Sequence, residues 1–219
     1  MGYNAREDYI YAVSQASTTP YDFKLIRILG NGATQDVVTI NKFSSTAGSL
    51  FNSGDIDENG QYWASTGGAD YYQYNVNPGT AGYGTLVSSG LLAGTGGYTI
   101  GDWTYVPGTG GGDLWSVGVK NFSSFLLRFN RVTRVFTVVR ELGNLTNTPT
   151  TSGSTAAFWG ASYATTDGFL FAFENNSGQV WRISVDGSVA IKRVADAPVS
   201  SQNDGARCVD SANIVVPGG

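Results

Sequence analysis

The chain contains no histidine, a single cysteine and few charged side chains, and each shortage narrows its chemistry. Without histidine, neither a Ser-His-Asp triad nor a Cys-His pair can form. The lone Cys208 excludes an internal disulfide, and we expect it to be a small buried residue on the last inner strand. Lys and Arg number 13 against 17 Asp and Glu, with no basic cluster, so no nucleic-acid partner is expected.

Long apolar runs and helical patterns are also missing. No stretch of about 20 apolar residues exists, so no membrane span is expected, and no apolar period of 3.6 residues continues for ten or more residues. The 219 residues instead include 30 glycines, 12 tyrosines, 11 phenylalanines and 5 tryptophans. Tight glycine turns between aromatic and β-branched segments predict an all-β fold.

A four-strand pattern recurs along the chain at intervals of roughly 50 residues. Each copy has an aromatic strand, two following strands and a preceding strand that begins with glycine. The leading glycines are Gly2, Gly54, Gly101 and Gly160, with a fifth at Gly205. Four antiparallel strands per repeat are typical of a β-propeller blade, which buries both faces only when blades surround a common axis.

The repeats predict one domain over residues 1–219, a β-propeller of four-stranded antiparallel blades with four complete blades plus a partial fifth. The repeats are expected at about 2–48, 49–96, 97–153 and 154–202, with the partial blade at 203–219. The glycine-led strands would be innermost, where backbones approach closely. Three explanations of the partial blade stay open: extension of the natural sequence before Met1, an open ring, or completion by another chain.

Three segments resemble a known family, and together they span essentially the whole chain. Residues 2–12 resemble its "GYN…DNYIYA" segment, residues 53–64 its "GD-D-G-YW" segment, and residues 203–208 its "NDGARC" segment. The family is an uncharacterised propeller-like repeat domain of extracellular and cell-surface proteins of fungi and bacteria. The resemblance implies a propeller fold and an extracellular or cell-surface location, and it implies no activity.

Residues 55–60 read Asp-Ile-Asp-Glu-Asn-Gly, which matches the first half of an EF-hand loop. In that interpretation Asp55, Asp57 and Asn59 are calcium ligands. Thr66 stands where the bidentate acid belongs, and no helices flank the loop. This favours the alternative, a hairpin turn in which Gly60 supplies a positive φ. Calcium is the one cofactor considered; no other is expected.

Acidic residues on the leading strands offer a second interpretation. Asp55, Asp57, Asp102 and Asp204 are expected to converge near the channel mouth, because leading strands lie side by side around the axis. Paired carboxylates can catalyse glycosidic chemistry. Only two of the five leading strands place Asp directly after Gly, so hydrogen bonding that holds the blades in register is favoured over catalysis.

Aromatic side chains are the predicted ligand-binding residues. The candidates are Tyr71, Tyr72, Tyr74, Trp103 and Trp159. Sugar rings stack on aromatic faces, and Tyr and Trp are favoured at interfaces. Tyr72 and Tyr74 share one strand face and Tyr71 the other, so we expect some of them to be exposed. The alternative is that all of them pack between blades.

Three sequons, at Asn121, Asn144 and Asn175, permit N-glycosylation of a secreted protein. The sequence therefore predicts a non-catalytic extracellular recognition module with glycans as its expected ligands. The first alternative is a structural or self-assembling surface subunit, a homo-oligomer that completes its partial blade with another chain. The weaker alternative is a carboxylate-dependent carbohydrate-active enzyme.

Overall fold

In the computed structural model, which describes residues 1–15, 22–109, 112–151 and 153–216, every regular element is a β-strand. The first two blades contain β1 (Gly2–Asn4), β2 (Tyr9–Gln15), β3 (Phe23–Ile28), β4 (Thr34–Thr39), β5 (Ser53–Ile56), β6 (Gln61–Ser65), β7 (Asp70–Asn75) and β8 (Leu86–Leu91). The next two contain β9 (Thr99–Ile100), β10 (Thr104–Tyr105), β11 (Leu114–Lys120), β12 (Ser123–Asn130), β13 (Val135–Gly143), β14 (Trp159–Ala164), β15 (Phe169–Glu174), β16 (Gln179–Ser184) and β17 (Lys192–Asp196). Nowhere in these ranges does a helix occur that could cross a membrane.

The strands form four antiparallel sheets, each built from consecutive strands. Blade 1 is β1–β4, blade 2 is β5–β8, blade 3 is β9–β13 and blade 4 is β14–β17. The leading strand of blade 3 is split, since β9 and β10 both pair with β11. The predicted four-stranded antiparallel blades of a propeller are confirmed.

Inner strands of neighbouring blades meet at the leading glycines. A Cβ added to Gly2 would lie 2.7 Å from the Ile56 nitrogen on blade 2, and one added to Gly101 would lie 2.2 Å from the Trp159 oxygen on blade 4. Backbone atoms this close leave no room for a side chain, which explains why glycine occupies these positions. The predicted central position of the glycine-led strands is therefore confirmed.

The hydrophobic core is divided among the interfaces between blades. Tyr11 and Leu25 of blade 1 pack against Tyr62 and Tyr74 of blade 2. Separate clusters of the same kind join blade 2 to blade 3, and blade 3 to blade 4. Each blade thus buries its apolar residues only where a neighbour covers it, as expected for a ring of sheets.

The chain after blade 4 reaches the ring centre without forming a regular strand within residues 197–216. A Cβ on Gly205 would lie 2.5 Å from the Ser162 oxygen, so residue 205 occupies the position of a fifth inner segment beside β14. Cys208 was predicted to be buried, but it is only half-buried. Its segment has no sheet of its own to enclose it. Because the fifth blade is only partial, two sheet faces have no adjoining sheet among the described residues. They are the face of blade 1 turned away from blade 2 and the face of blade 4 turned away from blade 3.

Candidate functional site

Two carboxylates on the inner strands tie neighbouring blades together. The Asp102 Oδ2 accepts hydrogen bonds from the Ser162 backbone nitrogen at 2.8 Å and the Ser162 hydroxyl at 2.9 Å. The Asp55 Oδ2 accepts from the Thr104 hydroxyl and the Tyr105 nitrogen, both at 2.7 Å. Each carboxylate therefore bonds to the next blade, in agreement with the predicted role in register.

The surroundings of these carboxylates favour their neutral forms. Burial raises the pKa of Asp55 to about 6, although the hydrogen bonds from Thr104 and Tyr105 act in the opposite direction. Burial raises the pKa of Asp102 well above its ordinary range, and the nearby charge of Asp204 raises it further. Asp55 and Asp204 thus lie near enough to act electrostatically on Asp102, whereas Asp57, the fourth residue predicted to join them, pairs with Arg131.

The calcium interpretation of the 55–60 loop is not supported by its geometry. The Asp57 Oδ1 accepts from the backbone nitrogens of Asn59 at 2.9 Å and Gln61 at 3.0 Å. Its Oδ2 accepts from the Trp63 indole nitrogen at 2.8 Å and from Arg131. Both oxygens are occupied, whereas Gly60 has the positive φ, 68°, of the hairpin-turn alternative. Across the described ranges, no group of three acidic, cysteine or histidine side chains is arranged to hold a metal ion.

The five candidate aromatic residues are buried, which corrects the expectation that some would be exposed for stacking on a ligand. Their exposed fractions are Tyr71 8%, Tyr72 1%, Tyr74 3%, Trp103 1% and Trp159 3%. The polar groups of four of them are also engaged. The Tyr72 hydroxyl accepts from the Phe43 nitrogen, Trp159 Nε1 donates to the Ser124 hydroxyl, Trp103 Nε1 donates to the Trp63 carbonyl, and the Tyr71 hydroxyl bonds to that of Ser88. Strand alternation does not expose either face of an inner blade, because a neighbouring blade covers each.

The three sequon asparagines lie in different environments. Asn121 is exposed at a turn with φ 50°. The Asn144 Nδ2 donates to the Thr148 carbonyl at 2.7 Å. Asn175 is 6% exposed, so a glycan on its side chain would require the surrounding residues to move. Of the three, Asn121 is the one whose side chain is open to solvent.

One end of the ring holds a cleft with a volume of about 370 Å³, here termed the axial cleft. Its polar and aromatic lining residues are Tyr3, Asn4, Arg6, Asp57, Glu58, Tyr105, Thr166 and Asp210. They come from the turns at the ends of the inner strands of all four blades and from the fifth segment. Sequence reasoning missed most of them, because side chains up to about two hundred positions apart meet only when the ring forms. All of these residues follow a leading glycine by a few positions, and this shared position in each repeat is a sequence signal that identifies them.

Hydrogen bonds fix the side chains of the axial cleft. Arg6 donates to the Glu58 carbonyl at 2.8 Å and to the Asn77 Oδ1 at 3.1 Å. Both carboxylate oxygens of Glu58 accept from Arg131, at 2.7 and 2.9 Å. The Tyr3 hydroxyl donates to Asp8 at 2.7 Å. These bonds hold lining side chains of blades 1 and 2 in place, and Arg131 of blade 3 supports Glu58 from outside the lining.

A family model described as "Repeat of unknown function (DUF6923)" matches residues 1–210. The chain belongs to this family of repeats. The match covers the four blades and the start of the fifth segment, and its description assigns no activity. A comparison with curated proteins finds no match.

Among solved structures, the chain is similar to virginiamycin B lyase from Staphylococcus aureus, with 15% identity, a TM-score of 0.47, and coverage of 83% of this chain and 55% of the lyase. It is also similar to the Cps50 (Swd1) β-propeller domain of Myceliophteria thermophila, with 9% identity, a TM-score of 0.45, and coverage of 84% and 58%. The chain thus spans little more than half the length of these proteins. Similarities this weak do not bear on ligand or activity.

Proposed function

We propose that this member of the repeat family is a non-catalytic extracellular recognition module that binds glycans in its axial cleft. The observation that carries the proposal is the convergence of turns from every blade on one cleft of about 370 Å³. Loops held on a rigid ring are the usual location of binding residues in such folds. The volume lies within the ordinary range of small-ligand sites, roughly 300–1,000 Å³.

The chemistry of the cleft suits a hydroxylated ligand. Tyr3 and Tyr105 bring aromatic rings to the lining, while Arg6 and Glu58 bring charged hydrogen-bonding groups. Aromatic faces take the C–H side of a sugar, and fixed polar groups take its hydroxyls. A non-catalytic role is supported by the absence of histidine from the chain and by the blade-to-blade hydrogen bonds of Asp55 and Asp102.

A glycan array with the purified protein tests this function. We expect selective binding that is lost in Arg6→Ala and weakened in Tyr3→Ala, because both changes remove cleft groups. Arg193→Ala is the matched control, since Arg193 is a surface arginine of blade 4 paired with Asp196. An array without selective binding, or equal binding by the Arg6 and Arg193 variants, contradicts the proposal.

A second candidate function, assembly through the open sector between blades 4 and 1, rests on the uncovered sides of those blades. On blade 4, Tyr163 and Phe173 are half-buried and lie beside the buried Phe171, and residues 214–216 of the chain line the same cavity without forming a sheet. On blade 1, Ile10 and Ile26 alternate with the residues packed against blade 2. No adjoining sheet covers these sides among the described residues, so a sheet of another chain is the expected occupant.

Sedimentation equilibrium over a range of protein concentrations tests the assembly function. We expect concentration-dependent association that Ile26→Lys abolishes, because a charge would be placed where the added sheet packs. Thr39→Lys, at the end of the outermost strand β4 of the same blade, is the control. A chain that stays monomeric at every concentration excludes assembly of identical subunits.

A further inference from the structure

The fifth inner segment, defined here as residues 203–208, lies beside β14 without the strand that completes an inner strand elsewhere. In blades 1, 2 and 4 the inner strand forms an antiparallel ladder with the next strand along the chain. Residues 203–208 belong to no sheet. The backbone nitrogens and carbonyls of Ala206 and Arg207 have no hydrogen-bond partner among the residues that the structure describes. The segment therefore presents an unpaired strand edge.

This unpaired edge is accessible. Ala206 and Arg207 are half-buried, whereas Ala161 and Ser162, at the same positions after the leading glycine of blade 4, are buried. The Arg207 guanidinium donates to carbonyls within residues 208–212, so it does not occupy the backbone groups of its own segment. An added strand can thus reach these groups.

The segment is also held in position from both sides. A Cβ on Gly205 would lie 2.5 Å from the Ser162 oxygen of blade 4. On the other side, the Asp204 Oδ2 accepts from the Met1 amine at 2.6 Å, which joins the segment to the start of blade 1. Because these contacts already order the edge, pairing with it costs less conformational entropy than ordering a free chain would.

A cavity of about 430 Å³ lies along this edge, in the open sector. Its lining includes Ile10 of blade 1, Tyr163 of blade 4 and Ala206 of the segment itself. Asp204 and the Met1 amine carry the charges of the described lining, and they pair with each other. The cavity thus combines apolar side chains from two blades with unpaired backbone, and it favours an uncharged occupant.

The chain's own last described residues lie farther out on blade 4. Residues 214–216 line a second cavity together with residues 194–196 of the outermost strand β17. They make no backbone hydrogen bond to residues 203–208. The inner part of the open sector is therefore left for a segment from elsewhere.

The complete blades show which kind of strand pairs with an inner strand. β2 has Tyr9 and Tyr11 at alternate positions, and β15 has Phe169, Phe171 and Phe173. Alternate residues share a face, so such a strand packs its rings against a neighbouring blade while its backbone bonds to the inner strand. A strand of this pattern suits the edge at residues 203–208.

We propose that residues 203–208 bind an extended, uncharged segment of another polypeptide, with aromatic residues at alternate positions, by antiparallel backbone pairing in the open sector. One face of the added strand contacts Tyr163 and the other contacts Ile10. This inference rests on the second candidate function, assembly through the open sector, and names the backbone edge and the kind of strand involved.

The peptide acetyl-Tyr-Ile-Tyr-Ala-Val-Ser-Gln-amide, with the sequence of β2, tests the proposal. Fluorescence anisotropy of labelled peptide measures binding, and hydrogen exchange of the ¹⁵N-labelled protein follows the backbone amides of Ala206 and Arg207. Every second residue of an antiparallel strand bonds to a given neighbour. We therefore expect saturable binding that slows the exchange of at least one of these two amides at least tenfold.

Matched peptides and variants make the outcome specific. A peptide with proline in place of its isoleucine and its valine keeps both tyrosines but disrupts the ladder, and should bind at least tenfold more weakly. Ile10→Lys places a charge in the cavity lining and should also weaken binding at least tenfold. Val135→Lys adds the same charge to blade 3 at a residue that is 55% exposed, and should leave binding unchanged.

The proposal is overturned if the β2 peptide does not bind, if the proline peptide binds equally well, or if neither amide is slowed. It is equally overturned if both amides exchange slowly before peptide is added, since the chain's own residues would then cover the edge. A chain that binds the peptide but stays monomeric supports this inference and excludes assembly of identical subunits. Self-association without peptide binding overturns this inference alone.

Discussion

Asp102 of blade 3 accepts two hydrogen bonds from one residue of blade 4, the backbone nitrogen and the hydroxyl of Ser162, at 2.8 and 2.9 Å. The carboxylate is buried at the ring centre, where its pKa is raised. This side chain thus links blade 3 to blade 4 in addition to the apolar cluster between them, and its removal leaves buried donors unpaired.

We expect Asp102→Ala to lower the free energy of unfolding by on the order of 1–3 kcal/mol, because the Ser162 nitrogen and hydroxyl lose their acceptor. Asp102→Asn should be less harmful, since it keeps an oxygen and resembles the protonated carboxyl that the raised pKa favours. Urea denaturation of both variants measures the difference. Equal losses for the two variants would show that the acceptor atom is unimportant.

The pH dependence of stability should reveal the buried carboxyl of Asp55. Its pKa is raised to about 6 from an ordinary value of 3.8, so the folded chain binds this proton more tightly than the unfolded chain does. Stability from this group is therefore present at pH 4 and is lost as the pH rises through 6, by on the order of 2–3 kcal/mol in total.

The matched variant for that measurement is Asp55→Asn, which does not titrate. The difference in unfolding free energy between the unmodified chain and the variant should move in favour of the variant between pH 4 and pH 7. A difference that moves in the opposite direction would mean that the pKa of Asp55 is lowered by folding.

The ion pair between Arg131 of blade 3 and Asp57 of blade 2 should be important for stability. The Asp57 side chain is 1% exposed and that of Arg131 is 10% exposed, so Arg131→Ala leaves a buried charge without its partner. We expect a loss of about 3–5 kcal/mol in thermal or urea unfolding. Arg193→Ala breaks the exposed pair with Asp196, whose side chains are 48% and 66% exposed, and should change stability by less than about 1 kcal/mol.

Tyr74 should behave as a core residue and not as a ligand-binding one. It is 3% exposed and packs between blades 1 and 2 with Tyr11 and Leu25. Tyr74→Ala should lower the unfolding free energy by about 3–5 kcal/mol, the usual range for a large aromatic side chain in a core. Under conditions where the variant stays folded, glycan-array binding should be unchanged; selective loss of binding with full stability would restore its predicted role in recognition.

The propeller was predictable from the sequence because its signals are local and repeated. Leading glycines such as Gly54 and aromatic strands such as Tyr62–Trp63 recur in every repeat, and in each blade they lie where little space is left or where a neighbouring blade packs. The outcome for Tyr72 and Trp103 was not predictable from strand alternation. Alternation shows which side chains share a face, whereas burial depends on whether another blade covers that face.

The axial cleft was harder to predict for a related reason. Tyr3, Glu58 and Thr166 are brought together only by the arrangement of the blades around one axis, and no local pattern connects them. The 55–60 loop shows the reverse problem, since its EF-hand spacing is local and misleading. The side chain of Arg131, more than 70 positions away, binds Asp57 where a calcium ion was considered. The loop itself contains no sign of this partner.

Because the apolar clusters lie between adjacent blades, each sheet depends on its neighbours for cohesion. Blades 2 and 3 have a neighbour on both sides, whereas blades 1 and 4 each have only one. Spontaneous opening should therefore begin at the two terminal sheets and move inward, so that amide protons in β6, β7, β11 and β12 exchange with solvent last. The middle pair of sheets forms the most persistent part of the molecule.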